Sequence, residues 1–153
     1  MTPEDLKSAM ELKDSEGWNQ TFSDWEFLLS SNPGQCLVAV MGGKVKATVT
    51  AITYENHLAW IGMMLVDKSI RGKGIGKLLM KSIIKELGFC SLIKLDATPA
   101  GLPVYIKLGF TPETTLYRMT GNLEGYNFYQ KITENFTILK IKRFISLLYL
   151  CCT

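Results

Sequence analysis

The sequence is poor in the side chains that most often advertise chemistry. Its 153 residues include 1 histidine, His57, and 4 cysteines, Cys36, Cys90, Cys151 and Cys152. The cysteines show neither the paired C-x-x-C spacing of a zinc site nor the density of a disulfide scaffold, so they read as reduced cytosolic thiols and no metal is expected. An excess of charge is also missing. Lys plus Arg number 17 against 14 Asp plus Glu, and the net +3 falls far short of a dedicated nucleic-acid binder. The chain lacks the ~20 consecutive apolar residues that a membrane span needs. Its first residues, MTPEDLKSAM, are polar and acidic where a secretory leader needs a basic start and an apolar run. A cytoplasmic location is the expectation, and the N-x-[ST] sequons at Asn19 and Asn135 then read as chance matches.

What is present suits one globular domain. Hydrophobic residues make up 47% and charged residues 20%, which excludes a disordered tail, a collagen-like chain and a charge-dense coiled coil. The length leaves no room for two independent cores.

Thr2, Pro3, Glu4 and Asp5 form a helix start, with a hydroxyl cap, Pro at the first helical position and acids at the positive end of the dipole. A first helix runs to about Lys13. Phe22, Trp25, Leu28 and Leu29 repeat at helical spacing before the stop Ser31-Asn32-Pro33-Gly34. Residues 36–41 and 44–54 read as a β-hairpin about Gly42-Gly43. After a turn at Glu55-Asn56, residues 58–66 are apolar on both faces and belong in the middle of a covered sheet. Residues 74–87 are the strongest helix, with Ile75, Leu78, Leu79, Ile83 and Leu87 inward and Lys77, Lys81 and Lys85 outward. A short strand over 92–95, a short helix over 104–108 stopped by Gly109, and a strand over 110–119 complete an α+β layout around a mixed sheet.

The segment VDKSIRGKGIGKLL, residues 66–79, carries the chemistry. A buried strand passes through a loop into a helix whose start holds Gly72, Gly74 and Gly76. Backbone N–H groups there sit beside the positive end of the helix dipole, and glycine lets a phosphate oxygen approach them. Arg71, Lys73 and Lys77 add charge for a polyanion. A Walker loop fails, because Lys77 is followed by Leu78 and not by Ser or Thr. A dinucleotide site would want G-x-G-x-x-G after the first strand, whereas the spacing here is G-x-G-x-G. Asp96, about twenty residues beyond the glycines, nevertheless occupies the place of a ribose-binding acid. An anion-free glycine turn is the remaining reading of this segment taken alone.

The same residues resemble the acetyl-CoA pyrophosphate motif of the GNAT (GCN5-related) N-acetyltransferases, in which Arg or Gln is followed after two residues by Gly-x-Gly or Gly-x-Ala. Arg71, Gly74 and Gly76 fill that pattern. Residues 95–110, LDATPAGLPVYIKLGF, resemble the segment in which the family carries a Tyr followed by Gly-Phe. GWNQ at 17–20 and WIGMMLV at 60–66 are similar to a bacterial-type subgroup that usually carries an additional C-terminal domain. The resemblance covers about residues 6–119.

It implies a mixed, mostly antiparallel central sheet flanked by helices. It also implies a V-shaped splay between the strands ending at Val66 and Asp96, opened by a bulge near Met63 to Leu65. The pantetheine arm would lie against Leu65 and Val66. The pyrophosphate would sit on Arg71, Gly72, Lys73, Gly74, Ile75, Gly76 and Lys77. Tyr105 would protonate the departing CoA thiolate, whose conjugate acid has a pKa of about 8.5; the competing role for Tyr105 is packing in a short helix. The acceptor amine must lose a proton, and Glu55, Asp67 and Asp96 are candidate bases, directly or through water. His57 has only its place beside a turn to recommend it. Trp18, Asn19 and Trp60 are candidates for the acceptor pocket, although both tryptophans also suit a core and Asn19 a turn or cap.

The expected function is acetyl transfer from acetyl-CoA to a primary amine of a small molecule or protein, by direct attack in a ternary complex. An acyl-CoA-binding regulatory module without turnover is the alternative, and a dinucleotide enzyme resting on Asp96 is the third. Residues 1–119 would form the cofactor-binding domain. Residues 120–153 would be an extension too short to be an independent domain, in which Lys140, Lys142 and Arg143 precede the apolar run 144–152. That run reads as an element packed on the domain or on a second subunit of a homodimer, or as a basic, Cys-tipped membrane-surface segment.

Overall fold

A computed structural model of the chain describes residues 1–117, Met119 and Gly121. A short 3-10 turn, Pro3–Asp5, leads into α1, Leu6–Ser15, which is followed by α2, Phe22–Ser31. The backbone N–H of Thr2 donates to Asp5 Oδ2 at 2.8 Å. At α2 the Thr21 N–H donates to Asp24 Oδ2 at 2.7 Å, and the Asp24 N–H returns a bond to Thr21 Oγ1 at 3.3 Å. This reciprocal cap satisfies donors that the first helical turn leaves without partners.

The sheet follows as β1, Cys36–Met41; β2, Lys44–Tyr54; β3, Leu58–Val66; and β4, Leu92–Leu95. Between β3 and β4 lies α3, Ile75–Glu86, and after β4 comes α4, Leu102–Ile106. Strand order is β1-β2-β3-β4. The first two pairings are antiparallel and the third is parallel. Such a sheet is mixed and mostly antiparallel, which removes the doubly wound dinucleotide fold, whose sheet is parallel.

Apolar residues cover both faces. On one, Leu6, Ala9 and Leu12 of α1 and Trp25 and Leu28 of α2 pack over Cys36, Met63 and Leu65. On the other, Leu79, Met80 and Ile83 of α3, with Leu87 just beyond it, pack over Ala47, Val49, Ala51, Ala59 and Ile61. β3 therefore contributes to both cores, as its run of apolar residues requires.

Three expectations change. Leu78, read as inward, is 62% exposed. The i, i+4 stripe through Leu79, Ile83 and Leu87 faces the sheet, with Met80 beside it, and Leu78 falls on the opposite side with Lys81 and Lys85. The short helix spans Leu102–Ile106 and not 104–108, because Pro103 suits the first helical turn, where its missing N–H costs nothing. No strand forms across residues 110–117. A strand exists by its ladder, and among the described residues none pairs with the outer edge of β4; Tyr117 is 83% exposed. Residues 122–153, including the basic cluster and the apolar run 144–152, lie outside the described residues. Among those described, no helix is long and apolar enough to cross a membrane.

Candidate active site

The ladder between β3 and β4 runs from Leu58↔Leu92 to Ile61↔Leu95 and stops. Beyond that point Gly62, Met63, Met64, Leu65 and Val66 of β3 line a cavity of about 920 Å³, faced by Leu95 and Asp96 at the end of β4. The volume is that of a small-molecule cleft. The first turn of α3 and the segment from Thr98 to Lys107, which includes α4, complete the cavity walls.

The strand, the loop and the helix meet here for local reasons. Asp67 Oδ1 accepts the Ser69 N–H at 2.8 Å and the Ser69 hydroxyl at 2.7 Å, which winds Lys68–Ile70 into a 3-10 turn. Gly72 and Gly74 then take φ of +78° and +81°, in the left-handed region, and Gly74 is the N-cap of the twelve-residue α3. A Cβ at either glycine would meet no atom within 4 Å, so the space beside this backbone is open. Gly76 has another reason to be small: a Cβ there would come 3.2 Å from Met64 Cε and 3.3 Å from Val66 Cγ2, where α3 seats on β3.

Of the residues expected to hold the cofactor, Leu65, Val66, Arg71, Gly72, Gly74, Ile75, Gly76 and Lys77 line the cavity. Lys73 does not; it is exposed on the loop. Arg71 lines the wall with its guanidinium already engaged, Nη2 meeting Glu16 Oε1 at 2.7 Å and Nε donating to Val66 O at 2.9 Å. Lys68 Nζ adds a bond to Ser15 O at 3.0 Å, so two cations of the loop clasp the end of α1. Tyr105 lines the wall formed by α4, and its ring meets that of Phe110 edge-on, with centroids 6.2 Å apart.

On the acceptor side the three candidates separate. Trp18 lines the cavity and packs against the core beneath α1 and α2. Asn19 is exposed and Trp60 lies within the β3–β4 ladder opposite Lys94, and neither lines the cavity. The candidate bases separate as well. Glu55 sits at a turn with φ +51°, and His57 bonds through its backbone to Tyr54 and Leu92, both away from the cavity. Asp67 binds Lys46 Nζ at 2.5 Å, and that ammonium, helped by Ser69, holds its carboxyl well below the usual carboxylate range. Asp96 is the candidate carboxylate that lines the cavity. Sequence reasoning missed Glu16, Met64, Thr98 and Gly101, which line it too. Glu16 stands next to the GWNQ stretch, but its partner is 55 positions away and no spacing rule connects them. Among the described residues, no group of three or more His, Cys, Asp or Glu could hold a metal.

The cradle suits the cosubstrate that the motif implies. It combines the N-terminus of a long helix, an open glycine backbone, cations and an edge of β3 that, among the described residues, has no strand partner beyond Ile61 on the β4 side, which match a pyrophosphate joined to an amide-bearing arm.

Comparison with known proteins gives the same answer. The family model described as an acetyltransferase (GNAT) domain matches residues 32–112, more than half of the chain. An uncharacterized N-acetyltransferase of Bacillus subtilis, YitH, is 37% identical over 54 residues, which is 35% of this chain and 19% of that protein. A Pyrococcus horikoshii protein provisionally assigned as an acetyltransferase superposes with a TM-score of 0.66 at 27% identity, covering 74% of this chain and 42% of the other. Thus the chain spans less than half the length of both. Ard1 from Thermoplasma volcanium has the same fold, with a TM-score of 0.68 at 22% identity over 74% of this chain and 81% of its own. With the family model, the fold and the glycine loop in agreement, this chain belongs to the GNAT acetyltransferase family.

Proposed function

We propose that the protein transfers the acetyl group of acetyl-CoA to a primary amine, by direct attack while both are bound. One observation carries this reading: the β3–β4 ladder ends at Ile61, and the edge it frees leads to the glycine loop at the start of α3 with Tyr105 across the cavity. When bound, the cosubstrate supplies an activated thioester. The residues of this chain hold and orient it.

The N–H groups about Gly72 to Gly76 bind the pyrophosphate, with Lys77 beside them. The backbone edge at Leu65 and Val66 pairs with the pantetheine arm as an added strand would. Fixing the thioester against the incoming amine contributes most of the acceleration, because proximity replaces a bimolecular encounter. Asp96 accepts the amine proton, directly or through water, and the Tyr105 hydroxyl donates a proton to the departing thiolate. Trp18 forms the apolar side of the acceptor mouth.

Calorimetric titration with acetyl-CoA tests the reading. Saturable binding is expected, lost in Gly74→Val, whose branched Cβ cannot adopt φ +81° without strain. Absence of binding by the parent protein overturns the proposal. Tight binding without CoA release on any amine of a broad panel identifies the non-catalytic module in its place.

A further inference from the structure

β3 changes sides along its length. Ala59 and Ile61 pack on the α3 face, whereas Met63 and Leu65 pack beneath α1 and α2. Side chains two apart on a regular strand share a face, so an extra residue must intervene. It does: between the pairs Thr50↔Gly62 and Thr48↔Leu65, Met63 and Met64 together oppose Val49. Met63 takes φ +49° there. A methionine in the left-handed region persists only where its surroundings over-determine the backbone.

Those surroundings are two hydroxyls of β2. Thr48 Oγ1 donates to Met63 O at 2.7 Å, and Thr50 Oγ1 donates to Gly62 O at 3.4 Å. Both threonines are 0% exposed. A hydroxyl at such a site is unfavourable unless it has a partner, and a bulge leaves backbone groups outside the ladder, so each deficit answers the other.

We propose that Thr48, supported by Thr50, is a positioning residue for acyl-CoA binding. Its hydroxyl fixes the Met63 carbonyl, and through it the backbone edge from Gly62 to Val66 that lines the cavity. This inference rests on the acetyl-CoA reading above. Valine at 48 keeps the shape and removes the donor, leaving a buried carbonyl that the strand can satisfy only by shifting. Serine keeps the donor and loses a methyl group.

The test compares the parent protein with Thr48→Val and Thr48→Ser, at a temperature where all three are folded by circular dichroism. Affinity for acetyl-CoA is measured by calorimetry, and backbone hydrogen exchange over residues 62–66 is measured without ligand. Thr48→Val is expected to bind acetyl-CoA about tenfold more weakly and to exchange faster at 62–66 than elsewhere in the β2–β3 ladder. Thr48→Ser is expected to match the parent in both. Parent-like affinity in Thr48→Val overturns the proposal, whatever happens to its melting temperature or exchange, and so does a serine variant that behaves like valine. If the parent itself fails to bind acetyl-CoA, the functional reading falls, and local exchange alone then decides whether Thr48 holds the bulge. Should Thr48→Val not fold, Thr50→Val, which loses the longer bond, is measured in its place with a smaller effect expected.

Discussion

At the scale of single residues, the glycine loop was legible from chemistry local in sequence, and Tyr105 from the resemblance of residues 95–110 to the family's Tyr and Gly-Phe segment; both line the cavity. Gly101 was not legible, because its reason is where the Tyr105 ring comes to rest in the folded segment, which spacing does not fix. A Cβ at residue 101 would lie 2.9 Å from Tyr105 Cε2 and 3.4 Å from Cζ, so only glycine lets the ring rest where it does. Thr98 Oγ1 accepts the Gly101 N–H at 3.1 Å and fixes the backbone beneath the ring. If Tyr105 is the proton donor, Tyr105→Phe is expected to lower kcat about 100-fold with little change in acetyl-CoA affinity. Gly101→Ala is expected to lower kcat in the same direction by moving the hydroxyl, and to cost almost nothing further when added to Tyr105→Phe. Steady-state kinetics on the four proteins of this cycle reads the coupling directly. Independent, multiplicative losses would mean that Gly101 acts elsewhere.

At the scale of elements, periodicity and punctuation located most of the fold, and the misses have distinct causes. The helix start at Thr2, the hairpin and α3 are decided by near neighbours in the chain, so they can be read from it. A strand is expected over 110–119, but a strand needs a partner, which its own residues do not specify. Instead Phe110 N–H bonds back to Tyr105 O at 3.1 Å, and Glu113 pairs with Lys94 of β4 at 2.7 Å through its side chain. Leu78 shows the complementary error, since an apolar residue next in sequence to the buried stripe faces water when the helical period carries it round to the side of the lysines. For α2, whose cap is fully local, Thr21→Ala is expected to destabilise the protein by about 1 kcal/mol in denaturant unfolding. Thr21→Ser is expected to restore most of that loss.

At the scale of the whole molecule, the site exists because distant segments meet at the end of β3, and no local pattern announces those meetings. One is the clasp of Glu16 with Lys68 and Arg71. Another is Lys46, the extra residue of a bulge on β2, whose C=O accepts the Asp67 N–H at 2.8 Å while its ammonium binds the Asp67 carboxylate. Together they pin the chain where it leaves the sheet for the glycine loop. The carboxyl of Asp67 is held below its ordinary range first by Lys46 and then by Ser69, so its contribution to folding depends on pH. Above about pH 4, the usual carboxylate pKa, Asp67 is ionised whether the chain is folded or not, and the pair stabilises the fold in full. As pH falls below that value, the unfolded chain takes up a proton that the folded one refuses, and stability drops until the folded carboxyl is protonated too. Melting temperatures from pH 7 down to pH 2 should therefore fall more steeply for the parent than for Asp67→Asn, with the gap between them widest at neutral pH and narrowing under acid. Parallel curves would show that Lys46 and Asp67 meet without holding the end of β3.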